Sequence, residues 1–285
     1  MASVLISPNP IKVFEPPACA RVLGVPVHNV SVQEVLAIME RWIEQRETRR
    51  WIAVTSSHGL VEGFKRPDFK AILESADLSI PDGMWTARVA AQKLAAVPKR
   101  VRGADLLTAF CGLANRQGYS NYFYGDTDEV LAALSGKLKS SFPSLEIAGA
   151  FSPPFRTLSA REDEEIVSAI NRAKPDVLWV GLGLPKQERW IYEHLERLEV
   201  PIVVAVGAAF KFVSGKVKPA PRKVSELGLE WLWRLLSEPK KCWRRALVYG
   251  PQFALHSYLE LKGLRNYDPA GEERNLIKLG RSDVV

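Results

Sequence analysis

Pro81, Asp82 and Gly83 directly follow the apolar run ADLSI. A carboxylate held between a proline and a glycine at a strand end can project into the crevice where open α/β sheets bind ligands, and there it can serve as a general base. An ordinary turn explains the same tripeptide and, on spacing alone, explains it better. A second candidate is VGLGLPKQERW at 180–190, where Gly181 and Gly183 precede a helix beginning near Lys186 and Gln187. Glycines let a ligand approach the backbone, and the free amides of a helix start attract an anion such as a diphosphate. A purely structural strand-to-helix turn fits equally well. The segment matches neither the dinucleotide fingerprint nor a P-loop.

Asp126-Thr127-Asp128 has the form of a D-x-D metal and sugar-diphosphate motif. The better account is a helix start, with Thr127 as the cap and Asp128 and Glu129 near the positive end of the dipole. In KRVRGAD, Arg100 and Arg102 offer forked donors for phosphate, although an exposed basic loop is the more ordinary reading. His58, in TSSHG, can meet a substrate hydroxyl or simply satisfy a loop carbonyl, and no Ser-His-Asp or Cys-His arrangement accompanies it.

Short Val-, Ile- and aromatic-rich runs at RVLGVPV, WIAVTSS, YSNYFYG, LEIAGAF, DVLWVGLG and PIVVAVG read as buried strands. Helical periodicity follows Ser31 and Gly103, and marks TDEVLAALSGKLKSS, the run after Ser159 and PKQERWIYEHLERL. Ser159 with Glu162 is a capping-box pair. Strands alternating with helices predict a mostly parallel, Rossmann-like α/β sheet.

The 285 residues are 47% hydrophobic and 25% charged, an ordinary globular balance. Three cysteines without C-x-x-C spacing predict neither a disulfide framework nor a zinc site. The first stretch, with four prolines and no basic n-region, reads as a loose tail over 1–18, ahead of a catalytic-type domain over 19–218. No apolar run reaches the roughly 18 residues that span a bilayer. Nine basic against three acidic residues lie between Lys216 and Arg245, so that most of the net charge of +7 sits there. Residues 219–285 read as a basic helical appendage holding Trp231, Trp233 and Trp243, with Glu226, Glu230, Arg234 and Glu238 as one polar stripe. Its apolar remainder must pack on the main domain or on a membrane interface. A nucleic-acid surface is disfavoured, because no recognition motif accompanies the charge.

ADLSIPDGMW, KRVRGADLL, VGLGLPKQERWI, VVAVGAAFKFVSGKVKPAPR and LGLEWLWRLLSEPKKCWRR occur in the order and approximate spacing of the WecG/TagA/CpsF glycosyltransferases, glycosyltransferase family 26, which the chain resembles from about Arg21 to Leu247. The resemblance implies a UDP-sugar donor, a polyprenyl-diphosphate-linked saccharide acceptor, inversion without a metal or other cofactor, and a cytoplasmic enzyme peripheral to the inner face of the bacterial plasma membrane, acting in surface or exopolysaccharide biosynthesis. By position it implies Asp82 as base, Arg100 as an active-site arginine and Gln187 as a donor-pocket glutamine. It further implies Thr55 as the threonine of a T-x-N segment that here ends in Ser57, with His58 and Gly59 marking a subgroup. Asp126 becomes a nucleotide contact rather than a metal ligand, and Arg222 and Arg234 become appendage contacts to diphosphate. A homo-oligomer is compatible with the sequence. Two other classes remain open: a metal-dependent D-x-D transferase, and a basic membrane-surface or nucleic-acid-binding α/β protein without catalysis.

Overall fold

The structure is a computed structural model that describes residues 16–268; most of the expected N-terminal tail and the end of the expected appendage lie outside the described residues. It opens with a hairpin, β1 (Cys19–Val22) and β2 (Val25–His28), paired antiparallel in a small sheet of their own. RVLGVPV was expected to be one buried strand of the main sheet. Leu23 and Gly24 both take positive φ, 49° and 77°, and this pair of left-handed residues folds the run back on itself as a two-residue hairpin turn.

The chain continues through α1 (Val32–Glu44), β3 (Arg50–Thr55), α2 (Ser57–Lys65), α3 (Pro67–Glu74), β4 (Leu78–Pro81), α4 (Met84–Lys93) and α5 (Gly103–Gln117). Next come β5 (Ser120–Gly125), α6 (Asp128–Ser141), β6 (Glu146–Phe151), α7 (Ala160–Ala173), β7 (Val177–Gly181), α8 (Lys186–His194), β8 (Ile202–Ala205) and α9 (Ala209–Val213). Six strands pair in the order β4-β3-β8-β7-β5-β6, and every pairing is parallel. The expected Rossmann-like α/β class is the observed one. The caps also form as their residues dictate. Ser31 with Glu34 and Ser159 with Glu162 close capping boxes, and Thr127 accepts from the Val130 amide.

Helices cover both faces of the sheet, which explains why its strands are almost continuously apolar. Alternate residues feed two cores. Trp51, Ala53, Tyr124, Leu178 and Val203 pack with β1, β2, α2, α3, α7 and α8 on one side. Ile52, Phe123, Trp179, Val204 and Phe210 pack with α1, α5, α6 and α9 on the other. The fully buried Trp179 donates to Asn121 Oδ1 at 2.9 Å, which satisfies its one polar atom inside that second core.

After Lys218 the chain is helical: α10 (Arg222–Glu226), α11 (Glu230–Ser237), α12 (Pro239–Arg244), a π-helical turn at Arg245–Tyr249 and α13 (Gly250–Leu261). Its far end returns to the body. Phe253 and Tyr267 join the first core, and Glu260 accepts from the Leu23 amide at 3.1 Å and pairs with Lys93 at 2.9 Å. By contrast α11 buries none of its residues, and α11 and α12 expose Trp231, Leu236 and Trp243.

Candidate active site

The carboxyl ends of β3, β4, β7 and β8 lie side by side, and the loops that leave them line a cleft of about 340 Å³. Ser56 follows β3, Asp82 follows β4, Gly183 and Leu184 follow β7, and Val206–Ala209 follow β8. The start of α5 adds Arg102, Gly103 and Asp105, while Glu230, Arg234 and Arg245 come from the appendage. A ligand crevice beyond strand carboxyl ends is what an open parallel sheet offers, because each strand hands over there to a loop rather than to a packed helix.

Asp82 is half-buried at this cleft, and its backbone is fixed from both sides. Its amide donates to the Thr55 carbonyl at 3.0 Å, and the Val101 amide donates to the Pro81 carbonyl at 2.9 Å. The Gly103 amide approaches Asp82 Oδ1 at 3.4 Å. Burial raises the Asp82 carboxyl above its ordinary range and the charge of Glu230 raises it further, against the pull of the Gly103 amide, Arg245 and Arg100. A carboxylate tuned in this direction is a stronger base than an exposed aspartate.

Three arginines share the cleft. Arg102 is held by Asp105 through two bonds, at 2.6 and 2.8 Å. Arg234 pairs loosely with Glu238 at 3.6 Å and lies over the Phe212 ring at 5.1 Å, with its Nε buried and unpartnered. Arg245, at the start of the π-helical turn, makes no ion pair or hydrogen bond among the described residues. A π turn re-aims side chains relative to a regular helix, and such turns recur at functional sites. Arg100 stays outside the cleft lining. It binds the Ser225 carbonyl at 3.3 Å and hydroxyl at 3.1 Å, and approaches Glu230 at 3.6 Å, so it fastens the appendage beside the cleft.

The remaining sequence candidates divide by what their side chains already do. Gly183 lines the cleft with a φ of 79°, the left-handed backbone that favours glycine. Gln187 lines it too, yet its polar atoms are committed inward: Oε1 accepts from the amides of Gly183 at 3.2 Å and Gly207 at 2.9 Å, and Nε2 donates to Glu188 at 2.8 Å. Gly181 is not a ligand-approach glycine but a packing one, since a Cβ there would meet the Phe210 ring at 2.6 Å. Lys186 is exposed at the start of α8 and does not line the cleft. Thr55 is buried with its hydroxyl 2.8 Å from that of Ser79. Ser57 begins α2, and its neighbour Ser56, the helix cap, is the serine that faces the cleft.

His58 packs at a tilt against Tyr249 of the π-helical turn, with ring centroids 4.0 Å apart, planes inclined at 54° and Nδ1 unpartnered. Burial first, then the nearby charge of Arg245, lower its imidazole to about 4, so it is neutral at physiological pH. It supports the junction between body and appendage rather than the cleft. Asp126 also lies off the cleft: Oδ1 accepts from the Thr127 amide at 3.0 Å and pairs with Lys211 at 3.5 Å. Asp128 is exposed on the first turn of α6, and no cluster of three acidic, histidine or cysteine ligands occurs among the described residues. Arg222 begins α10, and its side chain lies outside the described residues.

Sequence reasoning did not select Ser56, Glu230, Arg245 or the Val206–Ala209 loop as site residues. Gly207, directly after an apolar strand, is the signal that marks that loop. Glu230 and Arg245 carry no local signal, since only the path of the appendage brings them over the strand ends.

The family model described as the glycosyl transferase WecG/TagA/CpsF family matches residues 20–267. A protein of Bacillus spizizenii (strain W23) is 34% identical over 188 residues, covering 65% of this chain and 70% of its own. One from Bacillus subtilis (strain 168) is 27% identical over 253 residues, 88% of this chain and 95% of its own. A third, from Staphylococcus aureus (strain MW2), is 25% identical over 224 residues, 78% and 86% of the two chains. All three are named N-acetylglucosaminyldiphosphoundecaprenol N-acetyl-beta-D-mannosaminyltransferases.

Proposed function

The chain belongs to the WecG/TagA/CpsF family of glycosyltransferases, and we propose that it transfers a sugar from a UDP-sugar to a polyprenyl-diphosphate-linked saccharide with inversion, using Asp82 as the base. The observation that carries this reading is the half-buried Asp82 with its raised pKa, at the strand ends, in a cleft shared with Arg102, Arg234 and Arg245. The names of the relatives support an acceptor bearing N-acetylglucosamine on undecaprenyl diphosphate and an N-acetylmannosaminyl group as the sugar moved.

In the proposed reaction Asp82 takes the proton of an acceptor hydroxyl as that oxygen forms its bond to the anomeric carbon. The bond from that carbon to the nucleotide diphosphate breaks on the opposite face, and the configuration inverts. The negative charge that accumulates on the leaving diphosphate is met by Arg234 and Arg245, and preorganised cations of this kind act most strongly in a site shielded from water. The engagement of Asp126 with Lys211 and the exposed position of Asp128 favour a metal-independent reaction over a D-x-D one.

No helix among the described residues is long and apolar enough to cross a membrane. The exposed Trp231, Leu236 and Trp243, with Lys240, Lys241 and Arg244 around them, instead suit the appendage to lie on an anionic membrane surface, where tryptophan and basic side chains are favoured. The testing experiment incubates the protein with a panel of UDP-sugars and a short-chain lipid-diphosphate N-acetylglucosamine acceptor, with and without EDTA, followed by linkage analysis. The expected result is one inverted product at an EDTA-independent rate. Transfer that requires Mn²⁺, or a product of retained configuration, overturns the mechanism.

A further inference from the structure

Glu188 is an acid with no surface role. Only 2% of it is exposed, on the first turn of α8, and it forms no ion pair among the described residues. Oε1 accepts from Gln187 Nε2 at 2.8 Å, while Oε2 is buried without a partner. Desolvation raises its carboxyl to about 7, against the opposing effects of the Gln187 hydrogen bond and its own amide. An acid kept in such surroundings costs stability, and buried polar atoms left unsatisfied in a native fold invite a functional account.

What it can do follows from the two-sided chemistry of an amide. Gln187 Oε1 accepts from two backbone amides, Gly183 at 3.2 Å and Gly207 at 2.9 Å, which belong to the loops after the neighbouring strands β7 and β8. Those two loops form adjoining parts of the cleft wall. The staple works only while the oxygen faces the amides and the nitrogen faces away. Away from the amides, the nitrogen meets Glu188 Oε1.

We propose that Glu188 is a positioning residue for the donor site: its carboxylate oxygen fixes the orientation of the Gln187 amide, and through it the spacing of the Gly183 and Gly207 loops against which the nucleotide diphosphate binds. The proposal rests on the donor reading above for its ligand, but its geometric half concerns the free protein alone. Glu188 touches no substrate and acts through Gln187.

The test compares Glu188→Leu, Glu188→Asp and Glu188→Gln in the full chain by two measurements. One is amide hydrogen exchange in peptides covering 181–190 and 203–210, which needs no ligand; the other is the affinity for UDP. Leu removes the acceptor and Asp withdraws it by one methylene, so both should speed exchange at Gly183 and Gly207 and weaken UDP about tenfold. Gln keeps an acceptor oxygen and should stay within about twofold of the unaltered protein in both. If Leu does not yield folded protein, Asp carries the comparison. Exchange in the Leu and Asp variants equal to that of the unaltered protein overturns the proposal, as does a Gln variant as impaired as Leu. Unaltered protein that fails to bind UDP, while exchange responds as expected, removes the donor reading and leaves the staple intact.

Discussion

Replacing Asp82 by asparagine separates its chemical role from its structural one. Asparagine keeps the shape and the oxygen that faces the Gly103 amide, so the loop after β4 has no reason to move. What is lost is proton acceptance. A positioned general base supplies about 10²- to 10⁴-fold in rate, which at about 1.36 kcal/mol per tenfold is roughly 2.7–5.4 kcal/mol of barrier. Stability should move the other way. Because folding raises the Asp82 carboxyl, the protein binds that proton more tightly than the unfolded chain does. The stability this group contributes is complete below its ordinary pKa and is lost as pH rises through the raised one, so ionised Asp82 is a destabilising charge at neutral pH. Asp82→Asn should therefore melt at or above the temperature of the unaltered protein at pH 7.5, with no such gain near pH 4. Turnover with a lipid-diphosphate acceptor and calorimetric melting at the two pH values check both halves. Turnover within about threefold of the unaltered protein would refute the base assignment, and a lowered melting temperature at pH 7.5 would refute the electrostatic account of the site.

Glu230→Gln removes the charge that helps raise Asp82, so the acid limb of the kcat/KM profile should move to lower pH; an unmoved limb refutes that coupling. Arg100→Ala leaves Ser225 and Glu230 without their cation and should cost about 1–3 kcal/mol in denaturant unfolding, with earlier proteolysis beyond Lys218. Trp179→Phe preserves most of the packing but strands Asn121 Oδ1 in the core, for a loss of about 1–3 kcal/mol by the same measurement. Trp231→Ser combined with Trp243→Ser, both at exposed positions, should leave the melting temperature within a degree or two yet reduce sedimentation with anionic vesicles. Unchanged sedimentation would move the membrane contact elsewhere.

The sequence by itself determined the α/β class, because strands buried on both faces are nearly continuous apolar runs and their helices carry caps such as Ser31, Thr127 and Ser159. It offered Asp82 and Gly183 only as alternatives to ordinary turns, and the family resemblance rather than local spacing singled out Asp82 and Gln187; all three line the cleft. It could not separate RVLGVPV the hairpin from RVLGVPV the strand: the run is apolar in both, and the difference lies in the left-handed backbone of Leu23 and Gly24. Nor could it tell Ser56 from Ser57, adjacent residues of one type, until the first became a helix cap facing the cleft and the second turned into the helix. Only the tertiary structure decided the roles of the charged groups. Arg100, far along the chain from Ser225 and Glu230, becomes a clasp; Glu230 and Arg245 become neighbours of Asp82; Lys211 occupies Asp126. Long-range charge pairing depends on how helices after Lys218 cross the strand ends, and no local spacing encodes that path.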